Sequence, residues 1–387
     1  MLNPRLIVLC SLFCLVVSAP THTGAAQTPP PLPPDPDPIL LWVRGDLWQV
    51  DPLDLARPAV QITQNGTISA PAIMGSAVAY KAAAPVGLEA LDRVQTDGDV
   101  ADFDLPADLY VISQVNGTFA TAAPRQIIGQ PPNASLFVAG VPDAAVIRSA
   151  PAWSPDGLAL AWTEIAFGTA QASLVILDGR TGEGVQLPTE LPVDGIPPRV
   201  TWGNGGLMVW LTGTGGETWV GFYSTTGALL WRHLIPPATS ALEDAVWLEA
   251  GDRSLPALLY SDGAWWVFDP LTEPPRPLDA LPRLTSRQSP ADSFRVSFGT
   301  LADTGFFWEA FDPFTPEAAS VAFPGGPSRV TLSPSGRAIA FLGFPEFGAA
   351  AIYRDGDLYP IPGTGEGADE LNVGAILWGT TVWSLPD

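Results

Sequence analysis

Thiols, histidine and lysine are almost missing from this chain of 387 residues, which carries two cysteines, two histidines and one lysine. Cys10 and Cys14 both lie near the start, so the chain beyond them can form no disulfide and offers no thiol nucleophile. His22 and His233 are the only imidazoles, too few for a metal centre built on His and Cys. Positive charge is scarce as well, with 18 basic residues against 40 acidic ones for a net charge of −22. Phosphate contacts come from Lys and Arg, so nucleic acid is excluded as a partner class and an anionic membrane surface is disfavoured. The acidity reads as solubility first, with a cation or a basic partner as the sharper alternative. Lys81 as sole lysine reads as a composition bias.

Long apolar runs are also missing beyond the first 20 residues, so no membrane span is expected. The opening itself has the form of a leader. Arg5 supplies a positive start, Leu6 to Val17 an apolar stretch, and Gly24-Ala25-Ala26 a small-residue cleavage site before Gln27. Residues 1–26 are therefore expected to be a signal peptide cleaved near Ala26, with cleavage after Ala19 disfavoured by Pro20. Neither cysteine has a lipoprotein-box context. The expected location is extracytoplasmic: periplasmic, cell-surface or secreted. Residues 27–38, QTPPPLPPDPDP, read as an extended proline-rich linker, because each proline fixes φ and removes a backbone donor.

What the chain has in plenty is apolar residues, 47%, and turn formers, 38 Gly and 42 Pro. From Ile39 onward short runs rich in Val, Ile, Leu, Trp and Phe alternate with turns and read as strands, without sustained helical spacing. Around Ser149 the pattern is explicit. Ala150–Trp153 leads through Ser154-Pro155-Asp156-Gly157 into Leu158–Thr163, then Leu174–Leu177 and Gly184–Leu187. Pro155 presets φ, Asp156 tolerates the second turn position and Gly157 can take positive φ. Four antiparallel strands in one such stretch make a propeller blade. Thr331 to Arg337 repeats the motif around Ser333-Pro334-Ser335-Gly336, and looser copies start at Ala70, Thr201 and Val246. Third-strand elements recur from Asp46, Asp108, Trp219 and Trp265.

PAWSPDG followed by an apolar strand resembles the TolB-type, WD40-like β-propeller repeat. The implied fold is all-β, a propeller of four-stranded blades over residues 39–387. Seven blades are expected, at 39–66, 67–131, 146–190, 196–235, 241–282, 290–325 and 326–363, with six or eight as alternatives. The remaining strand region Val373–Trp383 is expected to complete the blade begun at Ile39, since a closed ring must protect its edges.

Three groups of residues are candidates for function. The tryptophans, among them Trp153, Trp162, Trp202, Trp210, Trp247, Trp265 and Trp266, read as packing between blades, with a sugar-stacking platform as the rival. The insert Pro85–Ala107 carries Glu89, Asp92, Asp97, Asp99, Asp102 and Asp104, with Asp108 following. Asp97, Asp99, Asp102 and Asp104 could ligate calcium, a hard cation that wants several carboxylate oxygens on a flexible loop. The twelve-residue EF-hand pattern is missing, which favours a solvated acidic loop. His233 reads as structural, because no nucleophile elbow G-x-S-x-G accompanies it. No hydrolase domain follows the repeats, unlike prolyl-oligopeptidase-type enzymes. The resemblance implies an interaction scaffold of the cell envelope, and the expectation is a non-catalytic, monomeric propeller that binds a protein or cell-envelope component at one face. The alternative is a carboxylate-based glycoside or lactone hydrolase or lyase, with or without calcium, since two placed acids suffice.

Overall fold

A computed structural model describes residues 35–94, 105–136, 143–193, 195–287, 294–301, 305–311, 320–324, 330–343, 349–365, 367 and 370–385. For residues 90–94, 297–301, 305–311 and 320–324 it describes the backbone alone. Residues 1–34, which include the expected leader and most of the proline-rich segment, lie outside the described residues, as do Asp97, Asp99, Asp102 and Asp104.

The serine-led turn explains why the repeat motif takes the form it does. Ser154 Oγ accepts the N–H groups of Leu158 at 3.1 Å and Ala159 at 2.8 Å, and donates to the Asp156 carboxylate at 2.5 Å. Gly157 sits at φ +71° and its N–H reaches the Ser154 carbonyl at 2.9 Å. Ser333 does the same work, accepting from Arg337 and Ala338 at 3.1 Å each, with Gly336 at φ +69°. The serine hydroxyl thus gathers the N–H groups that the tight hairpin leaves unpaired. Upstream, the expected strand Ala150–Trp153 is shorter than read, covering Ala152–Trp153 alone, and a separate strand Val146–Arg148 precedes it. Pro151 has no N–H to give the ladder. Ser149 bridges the gap instead, its N–H donating to the Thr163 carbonyl and its Oγ accepting from the Thr163 N–H, both at 2.9 Å.

The strands form sequential antiparallel meanders. One sheet joins Ile68–Met74, Ala77–Ala83, Ala107–Ser113 and Arg125–Ile128. A second joins Val146–Arg148 and Ala152–Trp153 to Ala159–Ala166, Ala172–Asp178 and Gly184–Pro188. Others run through 199–235 and 330–360. The meander at 242–277 and the one at 283–324 are merged into a single nine-stranded sheet. First strands pack on one another from the 68–128 unit through the 146–188 and 199–235 units to the 242–277 unit, and between the 330–360 unit and Ala375–Leu377, so they line a central channel.

The C-terminal strand Ala375–Leu377 closes the ring as expected. It pairs antiparallel with Ile39–Val43, at Leu40↔Leu377, Leu41↔Ile376 and Trp42↔Ala375, and serves as first strand of the 39–61 unit. The rest of the expected terminal strand turns away at Trp378. Thr381–Ser384 inserts between Leu242–Ala250, which it meets in parallel, and Arg283–Ser286, which it meets antiparallel. Trp383 stands opposite both Leu248 and Leu284.

Inner strands such as Ala159–Ala166, Gly206–Thr212 and Arg253–Tyr260 are buried on both faces, which accounts for the unbroken apolar runs, whereas outer strands such as Gly184–Pro188 and Leu229–Ile235 stay more exposed. Ile39 and Leu41 pack with Ile352 and Trp378 toward the 330–360 unit, while Leu40 and Leu47 pack with Ile68, Tyr80 and Phe119 toward the 68–128 unit. Adjacent Trp265 and Trp266 likewise pack into opposite clusters. Between-unit hydrogen bonds follow the same logic: Trp42 Nε1 donates to the Ile68 carbonyl at 2.7 Å and Trp153 Nε1 to the Ala72 carbonyl at 2.9 Å.

Two expectations need correcting. The insert after Ala83 contains a helix, Pro85–Val94, where only irregular chain was expected. Pro85 occupies the first helical position, where its missing N–H costs nothing, and Gly87 and Leu88 donate back to the Ala84 carbonyl at 2.9 and 3.2 Å. The unit expected at 290–325 starts earlier, with strand Arg283–Ser286.

Candidate functional site

The two ends of the channel differ. At the end that carries the turns between first and second strands, the C-terminal segment crosses. Thr380 Oγ1 accepts from Gly75 at 3.0 Å, its carbonyl accepts from Arg287 at 2.8 Å, and Gly379 donates to the Leu332 carbonyl at 2.8 Å. Arg287 reaches on to the Pro155 carbonyl at 2.7 Å. At the opposite end, where first strands begin, lies an open cavity of about 910 Å³. Its walls come from the 68–128, 146–188, 199–235 and 242–277 units and carry Lys81, Ser149, Arg199, Trp210, Asp244 and Tyr260.

Lys81 is buried, with Nζ directed at the Arg148 carbonyl at 3.3 Å. Arg148 is itself sunk between units, paired with Glu164 at 3.1 Å and donating to the carbonyls of Ala107 at 2.6 Å and Gly129 at 3.0 Å. Asp108 lies beside it. Burial raises its carboxyl above the usual range, against the pull of Arg148, and its Oδ1 is buried without a hydrogen-bond partner.

The other candidates fall away from the cavity. Glu89 is exposed on the helix. His233 stacks on Trp231 at 4.9 Å and meets Phe268 edge-on at 6.0 Å, and burial lowers its pKa, which suits a neutral packing ring. Among the described residues no group of three or more His, Cys, Asp or Glu is placed to hold a metal ion, and no helix is long and apolar enough to cross a membrane.

No protein-family model and no curated protein matches the chain. Solved structures do. The β-propeller domain of the Trilobed protease from Pyrococcus furiosus aligns at 13% identity over 78% of this chain and 85% of that one, TM-score 0.42. TolB from Acinetobacter baumannii aligns at 12% identity over 72% of this chain and 62% of its own, TM-score 0.38. The fold is a β-propeller. The periplasmic gluconolactonase PpgL of Pseudomonas aeruginosa aligns at 13% identity over 89% and 98%, TM-score 0.46. These likenesses are of fold alone.

Within the propeller's cavity Asp244 is the only lining carboxylate among the described residues. Its residue is exposed to solvent within the open cavity, with the cavity walls close beside it. That confinement pushes its pKa up to about 6, against the Ala245 N–H and Arg199, which favour the charged form, and with a small upward contribution from Glu243. A carboxyl whose folded pKa exceeds its unfolded value near 3.8 costs stability as pH rises through that window. Asp244→Asn is therefore expected to raise the urea midpoint at pH 8. The gain should shrink as pH falls through about 6 and vanish below the unfolded value. A gain independent of pH would show that the charge is not what the cavity disfavours.

Proposed function

We propose that this exported propeller is a non-catalytic binding module that takes a group of a protein or cell-envelope component into the open end of its channel. The observation that supports this best is the composition of the cavity, about 910 Å³ of mixed polar wall with a single carboxylate. Hydrolysis by carboxylates requires two placed acids, and the described lining supplies Asp244 alone. The leader-like residues 1–26 support export, and the acidic surface suits a soluble, monomeric carrier of such a site. Asp97, Asp99, Asp102 and Asp104 belong to the same proposal as an accessory calcium loop.

The test is capture from envelope extract on the immobilised chain, with and without calcium, beside the cavity-blocking variant Ala238→Trp. Ala238 is exposed and lines the cavity, so the bulk enters the site and not the core. The expected result is one reproducible partner, reduced about tenfold or more by the variant, a loss of ~1.4 kcal/mol. Calcium dependence would assign the acidic loop. Turnover of oligosaccharides or lactones that disappears with Asp244→Asn would overturn the reading in favour of an enzyme.

A further inference from the structure

Two opposite charges face this cavity without meeting. Arg199 opens the strand Arg199–Gly203 and stands directly across from Trp210, over whose ring its guanidinium carbon lies at 5.0 Å. Arg199 is exposed and its side chain makes no hydrogen bond or ion pair with any described residue, so its fork of donors is presented to the cavity. Asp244 lies on the neighbouring strand Leu242–Ala250, which packs against the Arg199 strand. The ladder slips between Leu242 and Asp244, and a bulge of this kind re-aims a side chain. One Asp244 oxygen accepts the Ala245 N–H at 2.8 Å and the carboxylate forms no ion pair with any described residue.

Exposed ions gain little by pairing with one another, and here each has a separate anchor. The Trp210 face holds the guanidinium, and the bulge with its local N–H holds the carboxylate. Two fixed, opposite and unpaired charges across a cavity fit a ligand that carries both complementary charges.

We infer that the cavity recognises a small zwitterion, an amino acid or short peptide, whose carboxylate pairs with Arg199 and whose ammonium pairs with Asp244. The inference rests on the reading of this cavity as the binding site. Guanidinium offers carboxylate a two-pronged, charge-assisted contact, and the cavity volume falls within the usual range for small-ligand sites, roughly 300–1,000 Å³.

The test is equilibrium dialysis of the full chain against an equimolar tripeptide pool, its N-acetylated and C-amidated counterparts, and a mixture of free L-amino acids. Retention of the unblocked tripeptides, or of the free amino acids, is expected, and which of the two is retained identifies the source. Blocking either terminus should weaken retention about tenfold or more, as hydrogen bonds to charged groups do. Arg199→Gln should weaken the unblocked pool equally and leave the amidated pool unchanged. Asp244→Asn should do the same for the acetylated pool. Both residues are exposed, and a melting temperature no lower than that of the unaltered chain verifies the fold. Retention that ignores terminal blocking, or no retention at all, overturns the inference. Envelope capture that is still lost in Ala238→Trp would then leave the binding site standing with a different ligand class. Capture that survives Ala238→Trp would remove the site itself.

Discussion

A chain lacking residues 374–387 is expected to lose cooperative folding, and one lacking only residues 379–387 to fold with reduced stability. Ala375–Leu377 is the sole ladder partner of Ile39–Val43 on the channel side, so its removal leaves an unpaired edge at the ring's seam. Ile376 and Trp378 go with it, 5% and 2% exposed, from the cluster that joins the seam to the 330–360 unit. Burial of each such side chain is worth about 1.5–3 kcal/mol, and native proteins as a rule hold only about 5–15 kcal/mol in total. The Trp378 indole would also release the Asp37 carbonyl, which it binds at 2.8 Å. The shorter truncation keeps the seam and removes Thr381–Ser384, whose Trp383 meets Trp265 edge-on at 4.8 Å. Loss of one large aromatic from a packed site costs about 3–5 kcal/mol. Urea denaturation followed by near-ultraviolet dichroism separates the outcomes. A two-state transition in the longer truncation, with a midpoint near that of the intact chain, would mean that the seam does not hold the ring.

Much of this architecture was legible because it rests on local chemistry. Ser154 and Ser333 announce their turns, and Asp46, Asp108, Trp219 and Trp265 mark third strands, because hairpins are fixed by neighbours in sequence. The closing strand was legible for a different reason, that an open edge in a ring is untenable. Thr381–Ser384 was not, since a short strand that pairs with Leu248 on one side and Leu284 on the other has no local signal. The helix Pro85–Val94 escaped because its acidic residues suggested a solvated loop. The cavity was the largest omission. Lys81 read as compositional accident, and Arg199 and Asp244 come from different units, brought together by ring geometry alone. One signal was present. The Gly203-Asn204-Gly205-Gly206 turn sets the register of its hairpin, and counting back from Gly203↔Gly206 places Arg199 opposite Trp210. The bulge that turns Asp244 has no such marker in LEDAVW.

Gly203→Ala is expected to cost about 3 kcal/mol in the intact chain, at the upper end for an overpacked site, and almost nothing in a chain that already carries Trp247→Ala. A Cβ on Gly203 would stand 2.2 Å from Trp247 Cγ and 2.5 Å from its Cβ, and one on Gly205 would stand 2.4 Å from Cζ3. The clash at Gly203 involves the root of the indole, which cannot swing clear by a rotamer change. Gly203 has no positive φ, so steric approach to Trp247 is the whole of its constraint. Trp247 is 7% exposed and its Nε1 has no hydrogen-bond partner among the described residues, so packing fixes it. Trp247→Ala should therefore cost about 3–5 kcal/mol by itself, and the cycle of four proteins should show a coupling of ~2 kcal/mol or more. An equal cost of Gly203→Ala in both backgrounds would refute the interlock. The contact matters beyond stability. Gly203 ends the strand that begins with Arg199, and Trp247 follows Asp244 on the next. The indole seated on the glycine turn therefore sets how far one strand can slide past the other, and so holds Arg199 and Asp244 at a fixed separation across the cavity.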